Sequence, residues 1–160
     1  MIKNKGFTLV ELLIYMALVS IFLLVLLDVF TTTLNSKLAS ESTSAISYDS
    51  RYILSKLSYD VNNADGVTSP ALGITDTSLQ LTSGGVTSTY ALAGGKFAKT
   101  VGGVSMSLNG TDTQLDSISF KNLGNAGGKP TIQVVYIVRS KIVVWGGTQA
   151  QTVNTTVGTR

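Results

Sequence analysis

The sequence has no cysteine and no histidine among its 160 residues, and it has only two prolines and one tryptophan. Without cysteine the chain cannot form a disulfide or use a thiolate nucleophile. Without histidine it lacks the commonest general base and metal ligand of proteins. Ser-His and Cys-His catalytic sites are therefore excluded, while a Ser-Lys dyad stays open although no spacing singles one out. We expect a protein that is not an enzyme and needs no cofactor.

Charge is sparse as well, since charged residues make up 13% of the chain and the net charge is +3. A nucleic-acid-binding domain typically carries a strong basic patch with interleaved aromatic residues. Six basic residues that could form such a patch are scattered along the C-terminal half of the sequence: Lys96, Lys99, Lys121, Lys129, Arg139 and Lys141. We therefore do not expect nucleic acid as a partner.

The longest apolar run extends from Phe7 to Leu27 and contains a single charged residue, Glu11. Its twenty-one residues would span about 30 Å as a helix, which matches the hydrocarbon core of a bilayer. A secretory signal peptide has a shorter apolar region, of about 7 to 15 residues, and a small-residue cleavage site that is not found after Leu27. The run therefore predicts a membrane-spanning helix. A carboxylate inside such a helix is unfavourable, so Glu11 requires a partner.

The segment from Lys5 to Glu11, KGFTLVE, followed by the apolar run, resembles the class III signal of type IV pilins and pseudopilins. The resemblance covers the N-terminal fifth of the chain. It rests on a basic leader, a glycine before the processing point, a phenylalanine after it and a glutamate as fifth residue of the product: Lys3 and Lys5, Gly6, Phe7 and Glu11. It implies cleavage between Gly6 and Phe7 by a prepilin peptidase, and N-methylation of the new Phe7 amine.

In that family the glutamate is thought to pair with the N-terminal amine of a neighbouring subunit, which implies the same assembly contact for Glu11. An ammonium and a carboxylate offset one another's unfavourable burial in a low-dielectric medium, so the pair would set the register between subunits. The resemblance also implies partners: other pilins or pseudopilins, the prepilin peptidase, and an inner-membrane assembly platform with a cytoplasmic ATPase.

The leader lysines place the N-terminus in the cytoplasm by the positive-inside bias. We therefore expect a single-pass protein of the cytoplasmic membrane before assembly. After assembly we expect it in a cell-surface or periplasmic filament.

One helix is predicted to continue from the apolar run to about Asn62, because no proline or glycine occurs between Phe7 and Gly66. A bend or a melted turn is expected near Thr31, where β-branched residues cluster. The second half has an apolar stripe at helical spacing: Leu34, Leu38, Ala45, Tyr52, Ile53, Leu54, Leu57 and Val61. The polar residues between them, Asp49, Ser50 and Asp60 included, are expected to face water.

From Gly66 onward the pattern changes to the alternation typical of strands. The predicted strands are 78–82, 86–92, 96–101, 104–108, 117–122, 131–139 and 141–145, with a further strand-like stretch at 152–157. Glycine doublets beginning at Gly84, Gly94, Gly102, Gly127 and Gly146 indicate an antiparallel meander. The strand around Ile132–Val138 is predicted to be central, and Trp145 is expected in the core.

These elements predict an α+β fold, in which a long N-terminal helix packs on a C-terminal antiparallel β-sheet domain. Half of the helix is transmembrane and half is amphipathic. The predicted segments are a leader (1–6), a transmembrane and assembly helix (7–27), an amphipathic helix (28–63) and a β-rich globular domain (64–160).

Three oxygen-bearing residues, Asn109, Asp112 and Asp116, lie close together in the sequence and would suit Ca²⁺ by their chemistry. Their spacing differs from the EF-hand pattern, and a solvated turn is the simpler interpretation. No metal site is predicted.

The resemblance implies a minor pilin or pseudopilin, a structural subunit of a type IV pilus or a type II secretion-like filament. Major pilins usually carry a proline near the position of Asp28, and many carry a disulfide, so the absence of both favours a minor subunit. The segment 48–65 also resembles the end of the long helix in minor pseudopilins of the tip-complex type. The alternative is a membrane-tethered extracytoplasmic binding module, such as an adhesin or a DNA-uptake pilin, and an exported enzyme is the least favoured hypothesis.

Overall fold

The computed structural model describes residues 8–125 and 128–158. Within them the chain forms one long helix, α1 (Leu9–Asn62), followed by nine strands. The strands are β1 (Gly66–Ser69), β2 (Thr75–Asp76), β3 (Leu79–Ser83), β4 (Val86–Ala93), β5 (Lys96–Val101), β6 (Val104–Ser107), β7 (Thr113–Asn122), β8 (Thr131–Val144) and β9 (Gly147–Gly158). The chain divides into two compact units between Lys37 and Leu38. This division falls inside the predicted amphipathic segment 28–63.

Helix α1 confirms the prediction of a continuous helix that ends at Asn62. The predicted melted turn near Thr31 is wrong, because α1 stays helical there. The hydroxyl of Thr31 donates to the Asp28 carbonyl at 3.0 Å, and that of Thr33 donates to the Val29 carbonyl at 2.8 Å. These hydroxyls therefore find acceptors within the helix and do not compete with it.

The strands form two antiparallel sheets, with the orders β1-β3-β4-β5-β6 (sheet A) and β2-β7-β8-β9 (sheet B). The predicted meander is confirmed within β3–β6 and within β7–β9, but the chain changes sheet between β6 and β7. At that point the Asn109 amide oxygen accepts the Phe97 N–H at 2.8 Å, and the amide nitrogen donates to the Thr113 carbonyl at 3.1 Å. The Asn109 side chain thus satisfies a backbone N–H and a backbone C=O that would otherwise need a partner on another strand.

Four of the predicted glycine doublets occupy tight turns, with φ between 56° and 109°. Such positive φ values are readily adopted only by glycine. The doublet that begins at Gly127 includes a residue outside the described part of the chain. β8 lies between β7 and β9, which confirms the central position of Ile132–Val138.

Several strand boundaries differ from the prediction. β8 is continuous where a break near Ser140 was expected, because the buried Ser140 hydroxyl accepts the Ile142 N–H at 3.1 Å and the strand continues. β7 and β9 begin earlier than predicted, at Thr113 and Gly147. β1 and β2 were not predicted, because strands of only four and two residues are too short to show an alternation of polar and apolar residues.

The core of the second unit lies between the buried face of α1 and both sheets. Buried and partly buried residues alternate along β8 from Thr131 to Ser140, as expected for a strand with one face on the core. The rings of Tyr90, Phe97 and Phe120 follow one another at centroid distances of 6.1 and 6.2 Å and connect the two sheets. The buried residues of α1 are Ser42, Ile46, Asp49, Ser50, Ile53, Leu57 and Val61.

Two predictions about burial are wrong. Asp49 and Ser50 were expected to face water, yet both are 6% exposed. Trp145 was expected in the core, yet it is 71% exposed. Trp145 lies in the turn between β8 and β9, past the end of the β7–β8 pairing at Ser140, and this position explains its exposure.

Candidate functional site

The apolar part of α1 has an unusual surface. Every large apolar side chain from Leu9 to Phe30 is strongly exposed, from 48% for Leu26 to 75% for Leu9. Exposed apolar area is unfavourable in water by about 25 cal/mol per Å². Among the described residues, α1 is the one helix that is long and apolar enough to cross a membrane. This surface suits a bilayer or other apolar helices, and it supports membrane anchoring.

Glu11 lies in the first turn of α1, and it is exposed. Its backbone N–H donates to the Thr8 hydroxyl at 3.3 Å, so Thr8 caps the helix start. A carboxylate in the first turn is favoured by the positive end of the helix dipole. The fold therefore places an acidic side chain at the start of the apolar surface.

The small or weakly polar residues of this segment include Ser20, whose hydroxyl donates to the Met16 carbonyl at 2.7 Å. The hydroxyl thus has an acceptor within the helix, which reduces the unfavourable free energy of placing it in lipid. Lys3, Lys5, Gly6 and Phe7, the predicted leader and processing residues, lie outside the described residues.

Asp49 joins α1 to the loop between β6 and β7. Its carboxylate accepts a hydrogen bond from the Gly110 N–H at 2.8 Å and another from the Thr113 hydroxyl. A Cβ at Gly110 would lie 3.4 Å from the same carboxylate. Sequence reasoning missed this contact, although Asp49 falls in helical register with Ile46 and Ile53, and that register would have indicated burial.

Asp60 joins α1 to sheet A. It accepts hydrogen bonds from Lys99 at 2.9 Å and from the Tyr90 hydroxyl, and Lys56 lies 3.5 Å away on the next turn. Burial raises the pKa of Asp60, but these hydrogen bonds and the two lysine charges outweigh it, so the pKa is lowered overall. Burial, together with the bond to the carboxylate, raises the pKa of Tyr90. The cluster holds a carboxylate in its charged form and stabilises the contact between helix and sheet.

The three calcium candidates serve different contacts. Asn109 bonds to backbone groups where the chain passes between the two sheets. Asp116 forms an ion pair with Arg139 at 2.6 Å, and this contact helps to lower the pKa of Asp116. Asp112 is exposed, and its carboxylate accepts a bond from Thr111 at 3.3 Å. In the described ranges, no cluster of three or more His, Cys, Asp or Glu residues is placed to hold a metal ion.

Comparison with known protein families finds one match: residues 1–27 match the model of the prokaryotic N-terminal methylation motif. Neither the comparison with curated proteins nor that with solved structures returns a match. The matched residues include Thr8, which caps α1, and Glu11 in its first turn, and they extend to the end of the apolar run at Leu27. That motif, the exposed apolar helix behind it and the packing of α1 on antiparallel sheets support a type IV pilin-like protein.

Proposed function

We propose that the chain is a minor pilin or pseudopilin, a structural subunit of a type IV pilus or a type II secretion-like filament. The observation that carries the proposal is the N-terminal methylation motif at the head of a helix whose large apolar side chains are all exposed from Leu9 to Phe30. A helix of this kind is unstable in water and needs either lipid or the matching helices of other subunits. α1 has no proline in its 54 residues, which favours a minor subunit.

Processing is the first step of this function. A prepilin peptidase cleaves between Gly6 and Phe7, and the new amine of Phe7 is methylated. Lys3 and Lys5 hold the leader on the cytoplasmic side. The second unit is then on the far side of the membrane, and an inner-membrane platform with its ATPase supplies the work of assembly.

Glu11 is the assembly contact in this proposal. A charged residue is unfavourable by about 2.5–3.5 kcal/mol at the centre of a membrane-spanning helix, and by less near its end, where Glu11 lies. An ammonium about 4 Å away contributes about 4 kcal/mol at an effective dielectric constant of about 20, which is enough to offset that term. The pair of Glu11 with the Phe7 amine of a neighbouring chain thereby favours assembly and sets the register.

Two measurements test the proposal. Mass spectrometry of the protein from cells with active prepilin peptidase should find a methylated N-terminal Phe7. An intact Met1 would overturn the processing step. The variant Glu11→Ala should be cleaved and inserted normally but be lost from filaments.

Asp28→Ala is the matched control, because it removes the acid at the other end of the same apolar run. This variant should still enter filaments. If Glu11→Ala also enters them at the normal level, the assembly role of Glu11 is wrong. A processed wild-type protein that stays in the membrane and never joins a filament would instead indicate the tethered binding module.

A further inference from the structure

β9 forms one edge of sheet B. Among the described residues its strand partner is β8 alone, and from Ala150 to Gly158 this pairing runs without a register shift. An edge strand presents a row of backbone N–H and C=O groups on its outer side, and these groups can pair with a further strand. The outer side of β9 is therefore a candidate binding surface.

β9 differs from the other sheet edges in length and in composition. The other edge strands of the described chain, β1, β2 and β6, have four, two and four residues, and such short edges are poor templates for pairing. β9 has twelve residues, and none of them is charged or a proline. Lysine and proline are the residues that proteins commonly place on an edge strand to prevent pairing. β9 thus lacks both kinds of protection.

A groove of about 420 Å³ lies between α1 and β9. Its lining residues are uncharged, three from the helix and three from the strand: Thr43, Ile46, Ser47, Gln149, Ala150 and Gln151. The Thr43 hydroxyl contacts the side-chain oxygen of Gln149 at 2.9 Å and connects the two walls. A strand added to the edge would place every second side chain on this side of the sheet. Those side chains would have to be small and uncharged, because the groove offers no partner for a charge.

The core-facing side chains of β9 indicate which kind of strand fits. Val153 and Val157 lie opposite the buried Tyr136 and Ile132, so alternate residues of β9 face the core. Val157 is 5% exposed, and Val153 packs against the core. In a second copy of this chain the same side chains would be held in that copy's own core and would not reach the groove. A segment that is not part of a folded sheet has no such constraint.

We propose that β9 binds an extended segment of another protein, which joins sheet B as a fifth strand. Backbone hydrogen bonds to the outer side of β9 provide the affinity. Small uncharged side chains at alternate positions of the segment, such as serine, threonine, alanine and valine, enter the groove and provide the specificity. This inference goes beyond the proposed function, because binding at β9 requires neither processing nor a filament.

Hydrogen exchange of the full-length chain in detergent micelles tests the proposal. The probe is a synthetic peptide of about ten residues that alternates threonine and valine, a pattern that favours an extended strand. With a dissociation constant of about 0.1 mM, about 1 mM peptide should slow the exchange of the outward-facing amides of β9 about tenfold. β6, an edge strand of sheet A, is the internal control, and its exchange should not change.

Two variants of α1 form a matched pair. Ser47→Trp places a large ring in the groove and should weaken binding of the peptide by at least about tenfold, because the ring clashes with the added strand. Ser44→Trp makes the same change at an exposed position outside the groove and should bind the peptide normally. Circular dichroism verifies that both variants keep the fold. A peptide with proline in place of every second threonine lacks backbone donors and should not protect β9.

Unchanged exchange of β9 at about 1 mM peptide, or equal protection of β9 and β6, would overturn the proposal. Equal binding by Ser47→Trp and the wild-type protein would also overturn it, since the added strand would then not lie beside the groove. Protection of β9 that rises with protein concentration without peptide would overturn it as well and would place a second copy on the edge. The measurement involves neither methylation nor filament entry, so each of these results leaves the proposed function standing.

Discussion

The carboxylate of Asp49 tests how the second unit is held together. It is 6% exposed and accepts hydrogen bonds from the Gly110 N–H and from the hydroxyl of Thr113, a residue that is itself 1% exposed. Asp49→Ala removes both acceptor oxygens and leaves a buried hydroxyl without this partner. A hydrogen bond to a charged group contributes about 1.5–3 kcal/mol, so we expect a loss of about 3–5 kcal/mol in the free energy of unfolding. This is a large part of the about 5–15 kcal/mol that stabilises an ordinary domain.

Urea denaturation of the full-length chain in detergent micelles, followed by near-ultraviolet circular dichroism, measures this loss. Both donors meet the same oxygen of Asp49, so the amide oxygen of Asp49→Asn can still accept both bonds. These bonds are no longer to a charged group, and we expect about half of the effect. Asp112→Ala is the matched control, because it removes the same charge from an exposed position of the adjoining loop. It should change the free energy of unfolding by less than about 0.5 kcal/mol. If Asp49→Ala is as mild as Asp112→Ala, the two hydrogen bonds do not stabilise the fold and our reasoning is refuted.

Three further changes probe other contacts. The pKa of Asp60 is below its usual 3.8 in the folded protein, so its contribution to the free energy of unfolding is complete above about pH 3.8 and is lost as the pH falls through the lower folded-state value. The variant Asp60→Asn should lack this loss of stability in an acid titration. An acid profile identical to that of the wild-type protein would contradict this prediction. Gly95 and Gly85 have positive φ values of 78° and 77°, a conformation that is unfavourable for alanine by about 1–2 kcal/mol. The variants Gly95→Ala and Gly85→Ala therefore share this effect on the free energy of unfolding. Gly95→Ala should be the more harmful in urea, because only its Cβ would lie 3.2 Å from the Gln114 Cβ, and equal effects would contradict this. Tyr136→Phe removes the hydrogen bond to the α1 backbone and should lower the free energy of unfolding by about 1 kcal/mol, whereas no change in the urea midpoint would show that water replaces it.

Most of the secondary structure could be predicted because its determinants are local. The absence of proline and glycine before Gly66 predicted the extent of α1, and alternation with glycine doublets predicted most strands. The division into two sheets could not be predicted in this way. Asn109 lies where the chain passes from sheet A to sheet B, and its side chain bonds to backbone groups of Phe97 and Thr113, a contact that no periodicity reveals.

The N-terminal motif could be predicted because its determinants are also local. Its residues are contiguous in the sequence, and the family model covers them. The burial of Asp49 and the exposure of Trp145 depend instead on which residues lie opposite in the folded chain. An aspartate on a helix usually faces water and a lone tryptophan is usually buried. Both residues depart from these tendencies, one because the loop between β6 and β7 supplies two donors, the other because the hairpin continues past the sheet.

The carboxylates of α1 differ in where their donors come from. Asp49 and Asp60 lie in the second unit, and the strands and loops that fold back onto α1 bring donors to both of them. Glu11 lies in the first unit, in which α1 is the one element among the described residues. Under the proposed function a neighbouring chain supplies the donor of Glu11. The unfavourable free energy of an acid in lipid, about 2.5–3.5 kcal/mol at a helix centre and less near its end, then becomes a driving force for assembly.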